Sequence, residues 1–314
     1  NAWSLAHRGL VLLATKRYTE SVLDLEQAIK IVPQYGWAYY VNGMLMAAQG
    51  KTAEALELYS TALEYDPELS GVYKERGLLY LDQQEYVKAL LDFNHLLSKW
   101  SDDFWVYQVI ADTHYDLGNI KEALETYQNA LETIGQNAMI YNEIGLIYQK
   151  LNQQDKAIRN FKKGVRIDPK SQNCYANMAI SYRSVSDFTK ALSCLNKCQE
   201  LDFPRKVWLF AVRGDIYSAL GKFDEALIDL NKAVELDPEY VWAISHRGST
   251  YFSNNQYAEA ERDFIAALTL DPEDKWTLYQ RALLYQKINE FEKSREDFQS
   301  ILEKDPENYF AIRG

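Results

Sequence analysis

The 314-residue chain has few cysteines, no excess of basic charge and no long apolar run, and each shortage excludes a class of protein. Three cysteines without disulfide spacing argue against a disulfide-stapled secreted scaffold and predict a reducing, cytoplasmic compartment. With 34 Lys and Arg against 45 Asp and Glu, the net charge is −11, which argues against a nucleic-acid backbone as partner. Without an apolar run of bilayer length, we predict no membrane insertion.

The motifs that mark common catalytic and cofactor sites are also missing. The sequence contains no HExxH, GxSxG, Walker-type loop or dinucleotide fingerprint, so we predict no enzyme activity and no cofactor. Cys174, Cys194 and Cys198 fall in a stretch without histidine to complete a zinc site. They are predicted to be buried free thiols, because free cysteine behaves as a small apolar residue.

One histidine lies between two carboxylates. Asp112 and Asp116 are four residues apart and share a helix face, whereas His114 points elsewhere. This arrangement predicts a partly buried, hydrogen-bonded histidine rather than a metal ligand, and no metal site follows from it.

What the sequence has instead is a period of 34 residues. Residues 207–240 read VWLFAVRGDIYSALGKFDEALIDLNKAVELDPEY, and residues 241–274 repeat the pattern. Apolar residues recur every three or four positions in two stretches, which predicts two amphipathic helices per unit. Gly221 ends the first helix and Asp237-Pro238 ends the second, because proline cannot continue a helix. One such hairpin cannot bury its apolar faces alone, so the units must stack.

Small residues stand at fixed places of the unit, where two helix backbones would come close. If Val207 is place 1, Gly214 holds place 8, Ala226 place 20, Ala233 place 27 and Pro238 place 32. These residues resemble the tetratricopeptide repeat, which prefers Gly, Ala, Ala and Pro at those places. The resemblance covers nearly the whole chain. It implies an all-α fold, a right-handed superhelical solenoid of helix-turn-helix hairpins.

The chain is predicted to form a single solenoid domain over residues 1–314. Nine copies begin at Ala2, Gly36, Ser70, Phe104, Ala138, Gln172, Val207, Val241 and Lys275. A partial tenth begins at Tyr309, in the sequence YFAIRG. The apolar first helix and this interrupted copy predict uncapped ends. We expect the chain to belong to a longer protein, or these ends to contact another domain or copy.

Arginine at place 7 and aspartate at place 23 occur in the same five copies. The pairs are Arg8 with Asp24, Arg76 with Asp92, Arg213 with Asp229, Arg247 with Asp263 and Arg281 with Asp297. In an antiparallel hairpin these places lie at the facing edges of the two helices. We therefore predict a structural Arg–Asp bridge inside each of these repeats.

Tryptophan is concentrated at place 2 of the repeat. The six residues there are Trp3, Trp37, Trp105, Trp208, Trp242 and Trp276. In superhelices of this family, that side of the first helix lines the concave groove, where Trp208, Trp242 and Trp276 are expected to form an unbroken aromatic row. The same face carries Asp112, Asp116, Asn142, Asn173 and Asp215, which are able to bind backbone amides or a basic side chain. The alternative interpretation is that the tryptophans only pack against the neighbouring repeat.

The resemblance implies a non-enzymatic scaffold that binds a peptide segment or protein partner along the concave face. Two alternatives stay open: a regulatory or sensor arm of an enzyme whose catalytic domain is outside this chain, and a carbohydrate-binding groove of stacked tryptophans. The family's carboxylate clamp and asparagine ladder are both absent. Place 6, where the ladder would run, reads His7, Val41, Glu75, Val109, Glu143, Asn177, Val212, His246 and Gln280.

Overall fold

The protein is all-helical in residues 1–308 and 311–312, the part of the chain that a computed structural model describes. The tenth-copy residues Tyr309, Phe310, Arg313 and Gly314 lie outside the described residues. In the described part, helices alternate as the first and second members of hairpins. The first helices are α1 (Ala2–Ala14), α3 (Gly36–Ala48), α5 (Ser70–Asp82), α7 (Phe104–Asp116), α9 (Ala138–Lys150), α11 (Gln172–Ser184), α13 (Lys206–Ala219), α15 (Val241–Ser253) and α17 (Lys275–Lys287). The second helices are α2 (Tyr18–Ile31), α4 (Thr52–Tyr65), α6 (Tyr86–Lys99), α8 (Ile120–Thr133), α10 (Gln154–Ile167), α12 (Phe188–Glu200), α14 (Phe223–Leu236), α16 (Tyr257–Leu270) and α18 (Phe291–Lys304).

The chain divides into two compact units, Asn1–Ile140 and Tyr141–Gly314. In the first unit each hairpin packs on itself, as α1 does on α2, and each second helix also packs on the next first helix, as α2 does on α3. The second unit follows the same plan, and there α13 also contacts α15 directly. Each unit is therefore a stack of hairpins joined through neighbouring helices, which confirms the predicted fold class.

The turn inside each hairpin depends on one residue with a left-handed backbone at place 15. The nine residues are Lys16, Gly50, Gln84, Gly118, Asn152, Ser186, Gly221, Asn255 and Asn289, with φ between 55° and 78°. A left-handed residue ends one helix so that the next can start two residues later. Because only three of the nine are glycine, six hairpins contain an L-residue in a backbone region that disfavours it.

The seam between the two helices of a hairpin is closed by small residues against large ones. Place 20 holds an alanine with no exposed surface in seven copies: Ala55, Ala89, Ala123, Ala157, Ala191, Ala226 and Ala260. At place 8, a Cβ on Gly77 would lie 2.7 Å from Phe93 Cε1, and one on Gly214 would lie 2.7 Å from Leu230 Cγ. The backbones approach closely because these positions carry little or no side chain.

The predicted Arg–Asp bridges are present in all five repeats, each with two parallel hydrogen bonds. Arg213 donates to Asp229 at 2.6 and 2.9 Å, and this aspartate is 5% exposed. The structure adds a bond that the sequence did not suggest. The remaining guanidinium nitrogen of Arg213 donates to Asn196 at 3.0 Å, and that of Arg76 to Ser60 at 3.2 Å. In these two repeats the bridge therefore also ties its repeat to the second helix of the preceding repeat.

Candidate functional site

A histidine on α15 is sandwiched between two tryptophans. It lies on the first-helix face, by which we mean the side of a first helix that carries places 2, 6 and 9. The His246 ring lies 3.6 Å from the Trp242 ring and 4.3 Å from the Trp276 ring, nearly parallel to both. Packed helices are about 8–10 Å apart, so one ring is needed to bridge tryptophans of neighbouring repeats. His246 is that ring.

The first unit contains the same arrangement. His7 stacks on Trp3 at 4.0 Å and on Trp37 at 5.5 Å. The exposure of the tryptophans differs, because Trp3 is 61% exposed whereas Trp37 is largely covered and also contacts Tyr40. In the first copy and in the eighth, place 6 therefore carries a histidine between two tryptophans at place 2.

The expected unbroken row of Trp208, Trp242 and Trp276 is wrong in two respects. The spacing between Trp242 and Trp276 is filled by a histidine, and among the described residues no ring contact joins Trp208 to Trp242. The place-6 residue between those two is Val212, which is not an aromatic ring. Trp208 instead packs edge-on against Phe203, at 5.8 Å.

Two of the predicted polar contacts are already engaged inside the chain. Asp215 accepts from Arg183 at 2.7 Å and lies 3.7 Å from His246 Nε2. Asn142 is 6% exposed, accepts from Asn177 at 2.9 Å and donates to Glu143. Neither is a free acceptor for a partner, because buried polar groups find internal hydrogen bonds when no ligand is present.

The remaining predicted residues lie apart from one another. Asp112 and Asp116 are exposed on α7, and Asn173 is exposed at the start of α11. Trp105 is partly covered, with the Lys74 ammonium 4.7 Å from its ring and Phe93 edge-on. These residues are placed on the first helices as predicted, but the described contacts do not join them into one site with His246.

His246 borders a cavity of about 300 Å³ that can hold a partner side chain. Arg183, Trp242, Asp274 and Trp276 also line it, and Trp276 remains 37% exposed. Burial between the two indoles lowers the pKa of His246, an effect that the nearby Asp215 partly offsets. The His246 Nδ1–H donates to the Trp242 carbonyl at 2.8 Å, which fixes the ring. The cavity therefore has an aromatic wall held rigidly in place, with a neutral imidazole at neutral pH.

The three cysteines are buried free thiols, as expected from the sequence. Burial raises the pKa of Cys194 to about 11 and that of Cys198 to about 12, so neither is a thiolate near neutral pH. His114 departs from expectation in one detail. Its Nδ1 is buried and has no hydrogen-bond partner in the described part of the chain. Over those residues no cluster of His, Cys, Asp and Glu has the geometry for a metal ion.

Sequence reasoning missed a basic segment inside this acidic chain. Residues 138–206, the fifth and sixth copies, contain twelve Lys and Arg but only six Asp and Glu, whereas the whole chain has 34 and 45. The overall charge of −11 conceals this segment. Adding up charge repeat by repeat, rather than over the chain, would have found it.

Comparisons with known proteins agree with this architecture. Models described as tetratricopeptide repeat match residues 40–103, 246–309 and 102–170, and a further TPR repeat model matches residues 214–254. The chain belongs to the tetratricopeptide repeat family. No curated protein gives a significant match to its sequence. Among the residues described, no helix is both long enough and apolar enough to cross a bilayer.

Several solved structures have the same fold. A tetratricopeptide repeat protein from Parabacteroides merdae aligns with a TM-score of 0.58 and 19% identity, over 80% of this chain and 99% of that one. PilW, described as a type IV pilus biogenesis factor, aligns with a TM-score of 0.61 and 15% identity, over 66% and 96%. The C-terminal part of a Cytophaga hutchinsonii protein with the same repeats aligns at 0.54 and 18%, over 77% and 98%. At these identities the likeness concerns the fold alone.

Proposed function

We propose that this chain is a non-enzymatic scaffold that binds a peptide segment of a partner protein along the first-helix face. The tetratricopeptide fold supports an interaction scaffold, and the finer assignment rests on one observation. Trp276 is 37% exposed beside the cavity at His246, where an apolar side chain of a partner would contact an aromatic wall. Aromatic residues at the edge of a preformed pocket are where binding energy usually concentrates.

The charges around the cavity favour a particular kind of peptide. Asp274 lies in the cavity wall and belongs to the eighth copy, residues 241–274, which contains six acidic and two basic residues. An extended segment with one apolar anchor and neighbouring positive charge fits this environment. In the second unit, the exposed Asn173 is a further contact that we propose for this segment. In the first unit, we propose the exposed Asp112 and Asp116 and the anchor Trp3 as contacts of a separate segment.

A selection from a displayed peptide library on the purified chain tests this function. We expect selected peptides to bind Trp276→Ala about tenfold to thirtyfold more weakly, as is typical of an aromatic anchor, by fluorescence anisotropy. Trp100→Ala is the matched control, because Trp100 is 43% exposed but follows α6 outside the first-helix face. It should change the affinity by less than twofold, and both variants should keep the circular dichroism of the parent.

Two results would overturn the proposal. Peptides that bind both variants equally would place the binding site elsewhere. An oligosaccharide array with Trp276-dependent binding, together with no selected peptide, would favour the carbohydrate groove instead. We also propose a reducing, cytoplasmic compartment for the scaffold, which the free buried thiols support.

A further inference from the structure

The second helix of the fifth repeat, α10, carries five exposed cations on an otherwise acidic chain. They are Lys156, Arg159, Lys162, Lys163 and Arg166. No ion pair involves any of them among the residues that the structure describes. By contrast, the lysines of α12 and α14 have acidic partners three residues away, as Lys197 has in Glu200 and Lys232 in Glu235. No ion pair therefore neutralises the positive charge of α10 within the described residues.

A groove of about 960 Å³ lies beside this helix, between α10, α12 and the turn that precedes α14. Lys162 and Lys222 both line it, and neither forms an ion pair within the described residues. Tyr182 also lines it but is only 6% exposed, with the ammonium groups of Lys162 and Lys190 at 5.8 and 5.5 Å from its ring. The exposed apolar surface comes from Leu220, which is 41% exposed, so the groove combines two cations that form no ion pair with an apolar side chain.

We propose that this groove binds an acidic peptide segment of a partner protein, with carboxylates at Lys162 and Lys222 and an apolar side chain against Leu220. The site is built mainly by second helices and does not depend on the function proposed for the first-helix face. Carboxylates complement the two cations, and the exposed Leu220 favours a ligand with an apolar side chain, which a polyphosphate lacks.

The surroundings favour a short acidic peptide over a long polyanion. Glu200 also lines the groove, and the seventh copy that follows, residues 207–240, contains seven acidic and three basic residues. A nucleic-acid strand or an anionic membrane would extend past the cations and meet this negative charge. A peptide with a few carboxylates is short enough to end before it reaches this acidic copy.

The test uses a fluorescein-labelled ten-residue peptide with six glutamates flanking a central Phe-Leu, and the full chain. We expect binding by fluorescence anisotropy that weakens at least tenfold in the double variant Lys162→Glu with Lys222→Glu. The control Lys30→Glu with Lys121→Glu makes the same change in net charge on the exposed surfaces of α2 and α8. It should weaken binding less than twofold.

The peptide chemistry is checked separately. Replacing Phe-Leu by Gly-Gly should weaken binding at least threefold, because it removes the apolar contact with Leu220. Equal losses in the two double variants would mean that only net charge matters and would overturn the site. Tighter, Lys162-dependent binding of a ten-nucleotide DNA strand, or of vesicles with 30% phosphatidylserine, would overturn the assignment to an acidic peptide.

Discussion

Arg247 and Asp263, sixteen residues apart, are joined by two parallel hydrogen bonds of 2.7 and 2.8 Å across the seam of one hairpin. The aspartate is 7% exposed, so this pair is shielded from water as few surface ion pairs are. A bidentate, shielded pair of this kind couples its partners energetically, because either residue alone leaves the other charge buried.

A double-mutant cycle measures that coupling. Arg247→Ala and Asp263→Ala should be non-additive, with a coupling of roughly 1–3 kcal/mol in the free energy of unfolding. Arg247→Ala with Asp229→Ala should be nearly additive, because Asp229 is bound by Arg213. Strong coupling in the second cycle would show that the pairing runs between repeats instead.

The close approach at Gly77 predicts a destabilising alanine and a specific rescue. A Cβ there would lie 2.7 and 2.8 Å from two atoms of the Phe93 ring. This ring is fully buried, so packed neighbours prevent it from moving away. Gly77→Ala should lower the free energy of unfolding by about 1–3 kcal/mol through overpacking. In a Phe93→Leu background the loss should be clearly smaller, by urea denaturation. An equal loss in both backgrounds would trace the effect to the backbone and not to the ring.

The left-handed turns predict a stabilising glycine. Gln84 has φ of 58°, a conformation that is unfavourable by about 1–2 kcal/mol for an L-residue. Glycine removes that strain but gains more freedom in the unfolded chain, an opposing effect of about 0.5–1 kcal/mol. Gln84→Gly should therefore raise the free energy of unfolding by roughly 0.5–1 kcal/mol. The neighbouring Gln83, with φ of −89°, is the control, and Gln83→Gly should not stabilise.

The stacked histidine predicts a pH dependence of stability. Burial lowers the pKa of His246 in the folded protein, while Asp215 and Asp274 oppose the shift and Arg183 reinforces it. As the pH falls below the ordinary histidine value of about 6.5, the unfolded chain binds this proton first, so the folded state loses stability. The loss should continue until the pH reaches the folded pKa.

His246→Gln isolates this contribution, because the other three histidines are unchanged. Between pH 7.5 and 5.5, the free energy of unfolding should fall more steeply in the parent than in His246→Gln, with tryptophan fluorescence as the probe. Parallel pH profiles for the two proteins would mean that the imidazole titrates as it does in water. A steeper profile for the variant would reverse the sign and contradict the argument.

Much of the fold could be predicted because each place of the repeat has one structural role. Ala226 is fully buried at place 20, and Gly221 takes the left-handed turn at place 15. The Arg–Asp bridges also followed from position, since places 7 and 23 face each other in any antiparallel hairpin. The third hydrogen bond of the arginine could not be predicted from position. It depends on whether the second helix of the preceding repeat has an acceptor such as Asn196 or Ser60.

The candidate site was predicted less well, because its contacts cross from one repeat to the next. The periodicity identifies the tryptophans at place 2, whereas at place 6 it shows only that His7 and His246 do not belong to an asparagine ladder. The stacking of these histidines between tryptophans depends on the ring-to-ring distance between neighbouring helices, which periodicity does not give. The hydrogen bond of Asp215 could not be predicted for a similar reason. Its partner Arg183 lies 32 residues earlier in the chain, on the neighbouring first helix.

The uneven charge along the chain affects how the molecules behave in concentrated solution. A protein with net charge −11 would normally be most dispersed at low salt, where like charges repel over long distances. Here the cations of residues 138–206 on one molecule can attract the acidic repeats of another. At about 0.15 M salt the screening length falls to about 8 Å, and this attraction weakens. The protein should therefore dissolve better in moderate salt than in dilute buffer, a salting-in behaviour that the average composition conceals.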